Sequence, residues 1–290
     1  MFNNIAELVN LAETQNKKIY EIMLEQEVEV TSFSREEIIN KMKDNYTVMK
    51  AAIEKGMQGV TSRSGMTGGD AKRLSEYRNK GNYLTDYTLL SAICYAVATN
   101  EVNASMGLIC ATPTAGSSGV LPAVMFAAQE KLQVEEEVVI NHLFTAGAIG
   151  YIIANNASIS GAAGGCQAEV GSASAMAAAA LTYLNGGDYE SIVHGAAMSL
   201  KNLLGLVCDT VGGLVEVPCV KRNVIGAVNA IASADMAVAG IRSQIPPDEV
   251  IDAMREVGEA LPKTLRETGE GGLGATPTGM KIKNRLLDQS

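Results

Sequence analysis

SASAMAAAALTYL, from Ser172 to Leu184, is the stretch on which the fold turns. Alanine is the strongest helix former, and Asn185-Gly186-Gly187 closes the run with residues that end helices. Scarcity of charge continues on both sides. Between Val138 and Val215 the only charged side chains are Glu169, Asp188, Glu190, Lys201 and Asp209. Val138 to Ala168 carries none, which is long enough to raise a membrane-spanning alternative. That segment also holds Asn141, His142, Asn155, Asn156, Ser158, Ser160 and five glycines. A buried helix followed by a polar, glycine-rich turn accounts for it better. The middle of the chain therefore reads as interior, with the charged ends wrapped around it.

Outward from this centre the pattern stays helical. Ser34-x-x-Glu37 is a capping box followed by Ile38, Met42, Tyr46, Met49 and Ile53 at helical spacing, with Gly56 as the stop. Thr85 or Asp86 caps a helix carrying Leu89, Leu90, Ile93 and Val97. Val120 to Ala127 is a helix with Pro122 in its first turn, where a missing N–H costs little. Asp188 starts a helix running towards Leu206, and Arg222 to Ile241 forms another. Pro246-Pro247-Asp248 opens a last amphipathic helix through Val250, Ile251, Met254 and Val257. Leu214 to Val217 is the best strand signal, and it is short. No repeat and no linker is evident. The expectation is a mainly α, single compact multi-helix domain over residues 1–290, with glycine-rich loops forming the site.

At 290 residues with 47% apolar and 19% charged side chains, the chain is globular and has ample core. A net charge of −9 without a basic cluster argues against a nucleic-acid surface. Five cysteines, and a start that lacks both a basic and an apolar signal region, fit a reducing, cytoplasmic setting.

Three loops combine glycine with hydroxyls. The first, Ser62 to Asp70, offers Ser64, Thr67 and Gly68; its plain reading is a flexible surface turn. The second, TPTAGSSG, offers Thr112, Thr114, Ser117, Ser118 and Gly119 just ahead of a helix N-terminus. Loop amides and a helix start facing one point suit an anion, a carboxylate as well as a phosphate. Ordinary N-capping by Ser117 or Ser118 explains the same pattern. The third loop is Glu267 to Gly279. Cys166, Cys208 and Cys219 stand 42 and 11 residues apart, each among small or apolar residues. Without a paired CxxC spacing, inert core thiols are the plain reading. Convergence of all three on one metal centre, with a coordination position left open for substrate, is the chemical one.

Four segments carry a resemblance: ATPTAGSSGVLPAV (Ala111 to Val124), GGCQAEVGSASAMAAAAL (Gly164 to Leu181), LGLVCDTVGGLVEVPCVKRN (Leu204 to Asn223) and ETGEGGLGATPTG (Glu267 to Gly279). With the loop at Ser64 to Gly69, they resemble the α chain of iron–sulfur L-serine dehydratase over nearly the whole length. The resemblance implies a mostly helical catalytic domain whose [4Fe–4S] cluster is held by Cys166, Cys208 and Cys219, with Cys94 and Cys110 left as core or loop thiols. It implies deaminating dehydration of L-serine to pyruvate and ammonia. The cluster's open iron acts as Lewis acid, and the two hydroxyl-rich loops fix the substrate's carboxylate and ammonium. Lys72, Arg73, Lys221 and Arg222 lie close in sequence to these motifs and are able to pair with a carboxylate, although solvated surface positions suit each.

The same resemblance leaves the general base unassigned. In the family it falls on a histidine in a Ser-Ser-His-Thr motif of a β domain, which single-chain relatives carry at their N-terminus. No such motif occurs here, and His142 and His194 both sit in apolar helical stretches that suit core or interface histidines. The expectation is a separate serine dehydratase β subunit that contributes the base, docking on apolar surface around loops 64–69 and 112–119, in a homo-oligomer of heterodimers. Three rivals stand beside this reading. They are a cluster enzyme that eliminates sulfide from L-cysteine, a pyridoxal-phosphate lyase with Gly116 to Gly119 as phosphate loop, and a non-catalytic metal-binding subunit.

Overall fold

Thirteen α-helices follow one another through the computed structural model, which describes residues 1–288. They are α1 (Ile5–Thr14), α2 (Ile19–Thr31), α3 (Arg35–Gln58), α4 (Asp70–Asn79), α5 (Tyr87–Ala104), α6 (Val120–Leu132) and α7 (Glu136–Asn156). After these come α8 (Gly161–Gly164), α9 (Ser172–Leu184), α10 (Tyr189–Lys201), α11 (Cys219–Val238), α12 (Pro247–Ala260) and α13 (Pro277–Leu287). No strand occurs among the described residues, only isolated bridges at Thr61–Gly68 and Cys208–Arg266. The mainly helical expectation holds.

Helix α9 is the hub. Every residue from Ser172 to Thr182 is buried, and the helix packs against α6, α7, α10 and α11. Alanine makes this possible, because a helix without large side chains lets several neighbours approach at once. Two of its polar side chains are paired: Thr182 Oγ1 donates to Ala178 O at 2.7 Å, and Ser174 Oγ donates to Gly226 O at 2.7 Å and lies 2.7 Å from Ser199 Oγ, with Asn229 Nδ2 donating to both hydroxyls. A buried hydroxyl left unpaired would cost on the order of 1–3 kcal/mol. Helix α7 is long and apolar enough to cross a membrane by composition. Its apolar surface is instead covered by α2 and α9, with Ile149, Ile152 and Ile153 fully buried.

Boundaries follow local chemistry. Ser34 and Glu37 form the capping box of α3, Asp86 caps α5 through Leu89 N at 2.7 Å, and Asp188 caps α10 through Ser191 N at 2.8 Å. Helix α3 does not stop at Gly56. That glycine lies against Ala98 on α5, where a β-carbon would meet backbone, and the helix ends at Gly59 with φ +101°. Helix α10 ends at Lys201, short of Leu206, and α11 begins at Cys219 and ends at Val238. Leu214 to Val217 is no strand. It belongs to a tight loop in which Val211 N donates to Val217 O at 2.9 Å. The loop from Glu267 contains a 3-10 turn at Gly272–Ala275, and α13 starts within its last residues. The start of the chain is tied to α12: Asp248 accepts from Ile5 N at 2.8 Å and Ala6 N at 3.1 Å.

Candidate metal centre

Cys166 follows Gly165, whose φ of +77° suits glycine and whose β-carbon would strike Leu261 and Leu206 O. After the cysteine the chain makes one π-helical turn, Gln167–Gly171, and passes straight into α9. Such turns recur at functional sites because they re-aim side chains without ending the helix. Gln167 locks the turn: its Nε2 donates to Met254 O and its Oε1 accepts from Gly205 N, both at 2.9 Å. Cys208 is stitched to the third glycine-rich loop. Its N–H donates to Leu265 O at 2.9 Å and its carbonyl accepts from Glu267 N at 2.8 Å. Cys219 opens α11, and Asn223 Nδ2, one turn on, donates to Cys219 O at 2.9 Å.

All three thiols are buried and free of disulfides. Burial pushes Cys166 and Cys219 up to about 12, and Cys208 is also raised. Part of the rise at Cys208 comes from Cys166 and Cys219, and part at Cys219 comes from Cys166, so the three lie near enough to feel one another's charge. Arg222 opposes the rise at Cys166 and Cys219. Its guanidinium pairs with Asp209 at 2.8 Å and donates to Val207 O at 2.6 Å. Neighbouring thiols pushed towards the neutral form become stable thiolates only beside a cation. Soft sulfur donors without a fourth cysteine suit an iron–sulfur or other thiophilic centre.

Two carboxylates complete the cluster of donors. Oxygens of Glu169 and Glu267 and the sulfur of Cys208 all lie within 4.8 Å of one another. Glu169 is cradled: Thr114 Oγ1 donates to it at 2.7 Å, and β-carbons on Gly161 and Gly116 would intrude on its oxygens. Burial pushes the Glu169 carboxyl up, Thr114 pulls it back, and Glu267 adds to the rise.

The two hydroxyl-rich loops both reach this region, though through few side chains. Ser64 Oγ donates to buried Glu216 at 2.7 Å, tying its loop to the segment between Cys208 and Cys219. Thr67 is buried with its N–H on Ser62 Oγ, and Gly68 has φ +146° and bridges Thr61. Helix α4 follows with Gly69 at its cap position, which offers no side chain. Fully buried Glu101 from α5 supplies the cap instead, accepting from Asp70 N at 2.9 Å and Ala71 N at 3.2 Å. In the second loop Ser117 Oγ donates to Thr112 O at 3.1 Å and Ser118 Oγ to Ala115 O at 2.8 Å, so these hydroxyls brace the loop itself. Thr112 Oγ1 lies 3.5 Å from Ser118 O, and Gly119 N donates to Asn223 Oδ1 at 2.9 Å. Helix α6 starts at Gly119 without a side-chain cap. Thr114 is the residue of this loop that touches the carboxylates.

A family model described as serine dehydratase alpha chain matches residues 14–274. The chain is 57% identical over 287 residues to a probable L-serine dehydratase alpha chain of Bacillus subtilis (strain 168), covering 99% of this chain and 96% of that protein. It is 44% identical over 290 residues to an L-serine dehydratase alpha chain of Peptoniphilus asaccharolyticus, covering 100% and 99%. An L-serine dehydratase of Streptomyces coelicolor is 38% identical over 275 residues, covering 92% of this chain and 59% of the longer protein. The chain belongs to the serine dehydratase alpha chain family.

In this alpha chain both histidines lie away from the thiols. His142 packs on Tyr183 at 4.9 Å and its Nδ1 lies 2.6 Å from Val138 O; Tyr183 is near the end of α9, about 16 Å along the axis from the end that Cys166 adjoins. His194 lies 3.6 Å from Glu190 on the first half of α10. Lys221 and Arg73 pair with Asp70, and Lys72 is exposed, so of the four cations only Arg222 faces the thiols. Cys94 and Cys110 stay outside the cluster, in helix α5 and in the segment before the second loop.

Sequence reading overlooked Glu169, Glu267, Glu216, Asn223 and Glu101. For Glu169 a signal was there: an isolated charge in an otherwise uncharged, buried stretch needs a reason. Glu267 gives none in sequence, because only folding brings it to Cys208.

Proposed function

We propose that this alpha chain is the metal-bearing part of an L-serine dehydratase, converting L-serine to pyruvate and ammonia in the cytoplasm with a [4Fe–4S] cluster on Cys166, Cys208 and Cys219. The observation that carries the reading is Cys208 beside two carboxylates, with the buried thiols of Cys166 and Cys219 near enough to raise it. When bound, the cluster supplies an iron without a protein ligand, a Lewis acid for the departing hydroxide. The chain's own residues do the rest of the positioning. Arg222 offsets negative charge at Cys166 and is itself held by Asp209. Glu169 and Glu267 receive the substrate's ammonium, a cation that relieves two carboxylates facing each other. Thr114 holds Glu169 in place, and the loops 64–69 and 112–119 frame the approach as braced scaffolds, the Ser64, Ser117 and Ser118 hydroxyls being spent on Glu216 and on their own loop.

The base that removes the α-proton comes from a partner chain. Relatives are named alpha chains, and the Streptomyces protein has sequence beyond the region this chain matches, which supports a second component. After proton loss and departure of hydroxide as water, the aminoacrylate tautomerises to an imine and hydrolyses to pyruvate and ammonia.

Anaerobic purification with iron and sulfide analysis, followed by ammonia release from serine, threonine and cysteine assayed side by side, tests this. Brown protein with about four irons per chain and preferred serine turnover is the expected result. Colourless active protein, or faster sulfide release from cysteine, would replace the reading. Activity is also expected to decay in air and return with ferrous iron and thiol, because an iron without a protein ligand is the first to leave. Stable activity through aerobic dialysis contradicts it.

Glu169→Gln is expected to raise KM for L-serine by about 10–100-fold, the worth of a hydrogen bond to a charged group. Iron content and inhibition by 3-hydroxypropionate, which lacks the amino group, are expected to stay unchanged. Equal weakening of both ligands would remove Glu169 from the ammonium site.

A further inference from the structure

Helices α5 and α11 run antiparallel and, with α4 at one end and α6 and α9 at the other, frame an apolar face that no element among the described residues covers. Two grooves lie along it, of about 510 Å³ at one end and 380 Å³ at the other. Helix α11 provides a single stripe down this face: Lys221, Val224, Val228, Ala232 and Asp235 recur at helical spacing. Beside it Ile225 is 51% exposed. The ends differ in sign. At the first groove Lys221 and Arg73 share one carboxylate, Asp70. At the second, Asp235 and Asp86 outnumber Lys131. The stripe is therefore net positive at one end, apolar along its length, and net negative about 21 Å further on.

Such a surface matches itself when turned end for end. We propose that this face binds a second copy of the chain across a two-fold axis, with the two α11 helices antiparallel. Lys221 of each copy meets Asp235 of the other. The axis falls midway between those positions, at Val228, which packs against its own counterpart. A closed two-fold contact of this kind uses one patch on both subunits and leaves no open end for further growth. The apolar centre supplies the contact, and the end charges set its direction. The thiol cluster needs nothing from this contact, so the proposal stands or falls separately from the activity.

The full-length chain, alone and with its partner chain, is the material for the test. Val228→Cys, oxidised with glutathione disulfide, is expected to give a reducible band of twice the chain mass that wild type does not give. Light scattering is expected to show Lys221→Glu and Asp235→Lys each weakening the dimer by about tenfold or more, and the double variant regaining it. Restoration in the double variant also shows that the single variants fold. A monomeric wild type at micromolar concentration, a Val228→Cys chain that links to the partner chain instead of itself, or a double variant weaker than both singles overturns the proposal.

Discussion

Replacing Cys208 with serine is expected to leave a folded chain that holds no iron or sulfide and releases no ammonia from serine. The side chain is 2% exposed and its backbone is fixed from both sides by the third glycine-rich loop, and the groups beside it, Glu169 and Glu267, are hard oxygen donors. A serine oxygen is shorter, hard and fully protonated, the wrong donor for iron that thiolate holds. Losing the metal removes several kcal/mol of charge stabilisation from the step that expels hydroxide, on the order of 10³-fold in rate. The same result is expected for Cys166 and Cys219. Cys94→Ala is the control: that thiol, pushed up to about 11 by burial within α5, is expected to cost on the order of 1 kcal/mol of stability and no iron. A Cys208→Ser chain with its full complement of iron would remove this residue from the ligand set.

The second large effect concerns the partner. Reconstituted alpha chain assayed alone is expected to fall about 10²–10⁴-fold below the same chain with a β partner, the usual worth of a positioned base. The chain has two histidines, and both lie towards the end of α9 remote from the cysteines. Burial lowers each of them, which favours neutral rings. His142→Phe and His194→Gln are expected to leave the rate of the assembled enzyme unchanged. Full activity from the alpha chain alone would send attention back to Glu169, a half-buried carboxyl beside Cys208.

Apolar surface suited to the proposed partner is exposed beside one of the two loops. Met106 and Leu108, just ahead of the second hydroxyl loop, are 79% and 74% exposed, as large apolar residues seldom are without a reason. The 64–69 loop shows less of this: Met66 is half-buried, and the loop's polar groups are spent on Glu216 and Ser62.

What could be read in the sequence was whatever rests on local chemistry. Ser34 with Glu37, Asp86 and Asp188 mark their helices by capping, and alanine marks α9 as the hub. The cysteines stood out by their surroundings. What could not be read depends on distant partners. Gly56 looks like a stop in one dimension and is a crossing point with α5 in three. The hydroxyls of Ser117 and Ser118 look like ligands for substrate, yet they close hydrogen bonds within their own loop. Glu101 caps a helix that begins 31 residues earlier, a relation no spacing rule contains.

The attachment of Cys208 to residues 265–267 has a consequence for how the protein is made. Cys208 is held on both sides by residues 265 and 267, made well after it, and Asp209 beside it accepts from Leu273 N at 2.8 Å. Domains fold as they emerge, N-terminal parts first. While the tail is still inside the exit tunnel, the helical hub can assemble and carry Cys166 and Cys219, but Cys208 has no anchor. On the proposed function, a cluster could gain its Cys208 ligand only once residues 265–273 have emerged and docked.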